Sequence, residues 1–142
     1  MRAVGIRTEG LKTVGDIAAT NTLTFGAQQK GLAIAEELLS THATGAPFVD
    51  AKGKYIGFIN EFDVIKALEA GKDLDKLVAE DLMRLGPIAV HEFTTIGDAA
   101  RRMEERCVLN LPVEKEGKVT YSVNRHDLLR TWIGLFRTGL DR

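Results

Sequence analysis

An internal repeat constrains this chain more than any other feature. Thr44-Gly45-Ala46-Pro47-Phe48-Val49-Asp50 runs through Lys52-Gly53-Lys54 into Tyr55-Ile56-Gly57-Phe58-Ile59-Asn60-Glu61-Phe62-Asp63. Sixty-four to sixty-five positions later, Leu109-Asn110-Leu111-Pro112-Val113-Glu114 runs through Glu116-Gly117-Lys118 into Val119-Thr120-Tyr121-Ser122-Val123-Asn124-Arg125-His126-Asp127. A unit this long, duplicated in tandem, is a supersecondary module whose copies bury their apolar faces against each other. Two copies imply two related clefts on one body.

Both copies predict the same order of elements. Val14-Gly15-Asp16-Ile17 and Val78-Ala79-Glu80-Asp81-Leu82-Met83 each open a copy as a short helical turn. Thr22-Leu23-Thr24-Phe25 and Pro87-Ile88-Ala89-Val90 follow as brief extended stretches. An amphipathic helix comes next, its apolar stripe at helical spacing: Ile34, Ala35, Leu38 and Leu39 in one copy, Ile96, Ala99, Ala100 and Met103 in the other. Thr95 is placed to cap the second of these helices. Two β-rich strands then flank a tight turn, where Gly53 or Gly117 supplies the positive φ a hairpin needs. A last helix starts after Asn60 and again after Asn124, with Val64, Ile65 and Leu68, or Leu128, Leu129, Trp132, Ile133 and Phe136, on its apolar face. The fold class is therefore α/β, a strand–helix–strand–strand–helix unit twice over. Gly71-Lys72-Asp73 marks the join, giving units 10–71 and 72–137.

Composition narrows the function. With 142 residues, 44% hydrophobic and 27% charged, the chain has the balance of a soluble globular protein. Its net charge of −1 offers no general attraction to nucleic acid or to an anionic membrane. Apolar runs fall short of the ~20 residues of a membrane span, and Met1 to Ile6 lacks the apolar core of a signal peptide, so a cytoplasmic protein is expected. The single cysteine, Cys107, forms no internal disulfide and is expected as a small apolar residue near a buried helix end. His42, His91 and His126 have no metal-ligand spacing; His42 and His91 are expected as surface or packing residues. No phosphate-binding glycine loop or nucleophile elbow is present, so nothing points to an enzyme.

The sharpest local feature is Asn60-x-x-Asp63, repeated as Asn124-x-x-Asp127, at each passage from strand to helix. One reading is structural: Asn caps the helix, and an acidic residue at the third position suits the helix dipole. The other is binding: a carboxylate at such a junction can accept two hydrogen bonds from a ribose diol, while the helix N-terminus favours phosphate. Both uses fit the same stretch of chain.

With these residues in place, the chain resembles a tandem pair of CBS domains, the cystathionine β-synthase-type regulatory module also called a Bateman module. The likeness covers roughly residues 10 to 137. It rests on Gly45 to Asp50 with Leu111-Pro112-Val113, on Gly57 to Asp63 with Tyr121 to Asp127, and on Glu80-Asp81-Leu82-Met83. The resemblance implies two β-α-β-β-α lobes about a pseudo-twofold axis and inter-lobe clefts for AMP, ADP, ATP or S-adenosylmethionine. It implies no catalytic cofactor, and a disc-like homodimer that signals to a regulated protein. Asp63 and Asp127 inherit the ribose role, with Asn60 and Asn124 where the pattern has Ser or Thr. The base falls to the backbone of Thr44, Gly45, Ala46 and Pro47, and of Leu109, Asn110, Leu111 and Pro112.

Departures from the pattern set further expectations. Tyr121 stands in the position of Gly57, where its ring would close or line a cleft, and Ala18 stands where the opening turn usually has Met. Arg125 and His126 flank Asp127 whereas Glu61 and Phe62 flank Asp63, so phosphate is expected at the Asp127 cleft. On the last helix Trp132, Ile133 and Phe136 share a face that Arg130 and Arg137 largely avoid, which reads as packing against the core or a second copy rather than nucleic-acid binding. Two functions remain open: an adenosine-ligand sensor, and an interaction module with degenerate, empty clefts.

Overall fold

The computed structural model describes residues 12–18, 21–85 and 89–140, with side chains as far as 134. In the first copy, helix α1 (Gly31–Thr41) leads to strands β1 (Gly45–Val49) and β2 (Tyr55–Asn60) and helix α2 (Glu61–Glu69). Then come the short helix α3 (Ala79–Leu82) and strands β3 (Arg84–Leu85) and β4 (Val90–His91). Helix α4 (Ile96–Arg106), strands β5 (Asn110–Lys115) and β6 (Lys118–Asn124) and helix α5 (Arg125–Leu140) complete the second copy. Two three-stranded sheets result, β1-β2-β3 and β4-β5-β6, which confirms the expected α/β class with paired lobes.

The hairpins form where the glycines stand. β1 pairs with β2 and β5 with β6, both antiparallel, each with one irregularity late in its first strand. Between Lys115 and Lys118 only two residues turn the chain, Glu116 at φ 54° and Gly117 at φ 79°. Positive φ at both positions is the turn whose twist matches that of the strands it joins.

The opening strands are slighter than the repeat implies. In the first copy the stretch Thr22 to Phe25 pairs only at Phe25, whose N–H donates to Pro47 O and whose carbonyl accepts from Val49 N, both at 2.9 Å. In the second copy, Val90 and His91 run parallel to Val113 and Glu114, and the Pro87-Ile88 part of that expected stretch lies outside the described residues.

The opening turns change sides. The 3-10 turn Val14–Asp16 belongs by sequence to the first copy, yet Val14 N donates to Thr94 O, Gly15 N to Glu92 O, and Ile96 N to Lys12 O. Val14 and Ile17 are buried with Val90, Ile96, Met103, Leu111, Val113 and Val123 in the core of the second lobe. Conversely, Gly31 N donates to Leu77 O and Ala79 N to Gln29 O. Ala79 and Leu82 then close the first core around Phe25, Ile34, Leu38, Phe48 and Ile59. The bridge Thr13↔Thr95 has its counterpart in Lys30↔Val78: a shift of 65 positions carries Thr13 to Val78 and Lys30 to Thr95. Exchange of partners under the same shift is what a pseudo-twofold axis requires.

The crossing also explains the odd pair of substitutions in the repeat. Arg84 and Leu85 pair with Phe58 and Gly57 as the third strand of the first sheet. A Cβ on Gly57 would stand 2.6 Å from Arg84 O and 3.0 Å from Met83 Sδ, so glycine is what lets this strand dock. In the repeat, Ala18 stands at the position of Met83 and Tyr121 at that of Gly57. Tyr121 is 5% exposed within the second core, so it neither closes nor lines a cleft. Its hydroxyl donates to Val14 O at 3.0 Å.

The helix stripes divide between core and surface. Ile34, Leu38, Val64, Ala67 and Leu128 are buried, whereas Leu39, Ile65, Leu68, Leu129 and Ile133 are exposed. Residues one position apart lie about 100° apart around a helix, so a stripe this wide outruns the core it covers. Cys107 is likewise exposed, at φ 54° in the left-handed residue that ends α4, rather than buried as expected.

Tyr121→Phe removes the hydroxyl that ties the crossing turn to its host and costs about 1 kcal/mol in urea unfolding at neutral pH. Burial raises the phenol above its ordinary pKa of 10.0, with Glu92 and Asp16 adding to the effect. The folded state thus holds the proton more tightly, and stability from this group is complete below pH ~10 and lost as pH rises through the folded value. The Phe variant lacks that alkaline loss.

Candidate functional site

Each strand-to-helix junction is a closed capping box. Asp63 N donates to Asn60 Oδ1 at 2.9 Å, and Asn60 N to Asp63 Oδ2 at 2.8 Å. The second copy repeats the pair between Asp127 N and Asn124 Oδ1 at 2.8 Å, and Asn124 N and Asp127 Oδ2 at 3.0 Å. The other oxygen of each carboxylate takes an arginine: Arg84 Nε lies 2.6 Å from Asp63 Oδ1, and Arg130 Nη2 lies 2.7 Å from Asp127 Oδ1. Both aspartate side chains are nearly buried, at 8% and 3% exposure, while the arginines are about half exposed. The structural reading of the motif is therefore correct. On each carboxylate one oxygen is thus tied to a backbone amide and the other to a half-exposed guanidinium.

Two clefts lie beside these junctions, each built from both copies. One, of about 190 Å³, is lined by Asn60, Glu61 and Phe62 from the first copy and by Arg106 to Asn110 from the second, with Thr44, Phe58 and Arg84. The other, of about 500 Å³, is lined by Asn124 from the second copy and by Thr41, His42 and Ala43 from the first, with the segment Asn21 to Thr24. The pattern is reciprocal. The Asn-x-x-Asp turn of one copy faces the end of the first helix in the other, where His42 at φ 57° and Cys107 at φ 54° turn the chain in the left-handed region. Across the join, Asn110 Nδ2 donates to Thr44 Oγ1, linking the two copies directly.

The structure brings together Thr44, Asn60, Leu109 and Asn110 in the smaller cleft, and sets Asn124 in the larger. The other residues whose backbone was expected to meet the base line neither cleft: Ala46 and Leu111 are core residues at 0% exposure, Pro47 and Pro112 are fully buried, and Gly45 is a buried strand residue. Asp63 lines a separate shallow depression with Lys66, Lys72 and Asp81. Asp127 lies beneath the surface at 2% exposure.

The expected cationic surroundings fall elsewhere. Arg125 lines the groove between α4 and α5, with Leu129 and Trp132, and His126 lines none of the described cavities. The arginines in a cleft are Arg84 and Arg106, at Asn60. Sequence reading missed Arg84 because it arrives on the crossing strand, and Arg106 because it comes from the opposite copy. His42, set aside as a surface residue, lines the larger cleft. His91 accepts from Phe93 N at 3.3 Å and packs beside the Phe93 ring, a local loop contact. Among the described residues no group of His, Cys, Asp and Glu could hold a metal ion, and no helix is long and apolar enough to cross a membrane.

A family model for the CBS domain matches the chain twice, over residues 14–70 and 78–134. An uncharacterised protein of Methanopyrus kandleri is 29% identical over 120 residues; the match takes in 83% of this chain and only 61% of that protein's length. The CBS-pair protein CBSX2 of Arabidopsis thaliana is 25% identical, with a TM-score of 0.74 over 88% of this chain and 96% of its own. A structure of CBSX2 in complex with AMP has a TM-score of 0.73 at 25% identity, over 87% of this chain and 97% of that one. A CBS domain pair in complex with 5′-methylthioadenosine and S-adenosyl-L-methionine is 26% identical, with a TM-score of 0.74 over 87% of this chain and 98% of that one.

Asn60→Ala and Asn124→Ala each remove the acceptor for a helix N–H and cost about 1 kcal/mol of unfolding free energy, read by urea denaturation. A variant with full stability would show that its cap contributes nothing.

Proposed function

This chain belongs to the CBS-domain family, and from that premise we propose that it is a regulatory module, not an enzyme, which binds an adenosine-containing ligand in its inter-copy clefts. One observation carries the reading. Each cleft joins the Asn-x-x-Asp turn of one copy to the helix-end turn of the other, so a molecule lodged there touches both copies at once. Such a ligand favours one arrangement of the copies over another, and a regulated protein reads the difference. The complexes of similar CBS pairs with AMP, with S-adenosyl-L-methionine and with 5′-methylthioadenosine support the ligand class. AMP, ADP, ATP and S-adenosylmethionine are the compounds to test.

In this proposal Asp63 and Asp127 hold the ribose after exchanging their arginines for its hydroxyls. The repeat units 10–71 and 72–137 act as paired halves in the cytoplasm. Assembly as a homodimer is part of the same reading. Leu39, Phe62, Ile65 and Leu68 in one lobe, with Leu129 and Ile133 in the other, are exposed apolar side chains that a second copy would cover.

A second reading, an interaction module whose clefts stay empty, draws on the same carboxylates. Both oxygens of Asp63 and of Asp127 already have protein partners.

Thermal unfolding separates the two. A ligand at 100 times its Kd adds about 2.7 kcal/mol, a rise of roughly 5–10 °C for a chain of this size. The sensor reading expects that rise with at least one of the four compounds, and its loss in Asp63→Ala or Asp127→Ala. Nucleotide-free protein that gives no shift with any of them is the interaction module.

A further inference from the structure

The two copies share a helix framework but differ on its outer face. A shift of 65 positions carries Leu32, Glu36 and Leu39 of α1 onto Gly97, Arg101 and Glu104 of α4. A shift of 64 carries Glu61 of α2 onto Arg125 of α5. Charge is inverted at two matched positions, Glu36 with Arg101 and Glu61 with Arg125, and all four side chains are exposed. Lys66 and Arg130, also matched, carry the same charge in both lobes and do not distinguish them.

In the second lobe the result is a groove of about 830 Å³ between α4 and α5, with Gly97, Ala100, Met103, Leu128 and Trp132 among its walls. Arg101 and Arg125 outweigh Glu104 among its described lining residues. Arg101 also holds Asp98 on its own helix, but both partners are exposed, and such surface pairs are weak. In the first lobe apolar side chains stand outward instead: Leu39 is 69% exposed, Phe62 66% and Leu68 53%. The two surfaces adjoin, since Cys107, Val108 and Leu109 line both the groove and the smaller cleft, where Glu61 and Phe62 stand.

We propose that this groove receives the first lobe of a second copy, with Glu36 and Glu61 of each chain against Arg101 and Arg125 of the other. This rests on the homodimer reading above and adds which surfaces meet. A twofold axis closes such an assembly, because the same contact forms twice and uses both lobes of each chain. Pairing like lobes would set acid against acid and guanidinium against guanidinium, a juxtaposition that costs affinity. It would also face groove with groove and ridge with ridge.

Sedimentation of charge-reversed chains tests the pairing. Glu36→Arg with Glu61→Arg gives both helix faces a basic excess, and Arg101→Glu with Arg125→Glu gives both an acidic one. Each double variant is expected to weaken dimerisation about ten-fold or more, as like charges then meet at both contacts. All four substitutions in one chain invert the two faces together and restore the dimer. Should Glu61→Arg loosen the start of α2, Glu36→Arg and Arg101→Glu carry the test singly and combined, both lying mid-helix at exposed positions. A dimer that survives both double reversals joins other surfaces and overturns the proposal, leaving the homodimer reading intact. So does a four-residue variant that stays dissociated, because its faces are complementary again. A wild type that sediments as a monomer at every concentration overturns the homodimer reading and this proposal with it.

Discussion

The crossing of the opening turns is the constraint on which the rest of this structure depends. Neither lobe closes its own core: Val14 and Ile17 complete the second, Ala79 and Leu82 the first. Backbone hydrogen bonds fix both crossings, through Thr94 and Glu92 on one side and through Leu77 and Gln29 on the other. Burying Val14, Ile17 or Leu82 contributes about 1.5–3 kcal/mol each and the small side chain of Ala79 about 0.8 kcal/mol, so each lobe is stabilised by a segment its own repeat does not contain. The two clefts lined by both copies lie along the seam between them. The same crossing delivers Arg84 to Asp63.

Local signals were legible in the sequence where local physics decides the outcome. The hairpins follow from Gly53 and Gly117, and the helix starts from Asn60, Thr95 and Asn124, each of whose side chains accepts a helix N–H. The buried halves of the stripes were legible for the same reason. What could not be read was destination. Whether Val14 packs in its own copy or the other depends on contacts some eighty residues away in sequence, and the chain's period is identical in both cases. The roles of Tyr121 and of Arg84 follow from that unread step. A tyrosine in a glycine's place looks like a blocked cleft until its burial beside the incoming Val14 is known. An arginine beyond the opening turn looks like a surface charge until its strand is known to pair with β2.

The Asn-x-x-Asp motif shows why a structural reading and a functional one need not compete. Capping engages one carboxylate oxygen of each aspartate on the backbone amide of its asparagine. The remaining oxygen is held by an arginine that is itself half exposed, so water reaches the guanidinium but not the nearly buried carboxylate. Cap and counter-ion are thus divided between two oxygens of one group.

The central claim is that the copies form one cooperative unit, so that a ligand in either cleft acts on both. Hydrogen exchange in rising urea tests this most directly, following the strand amides of Ile59 in the first lobe and Val123 in the second. Interlaced cores predict that the two amides converge on a single opening free energy and the same urea dependence. Separate free energies, with one lobe opening fully while the other stays protected, would contradict the account.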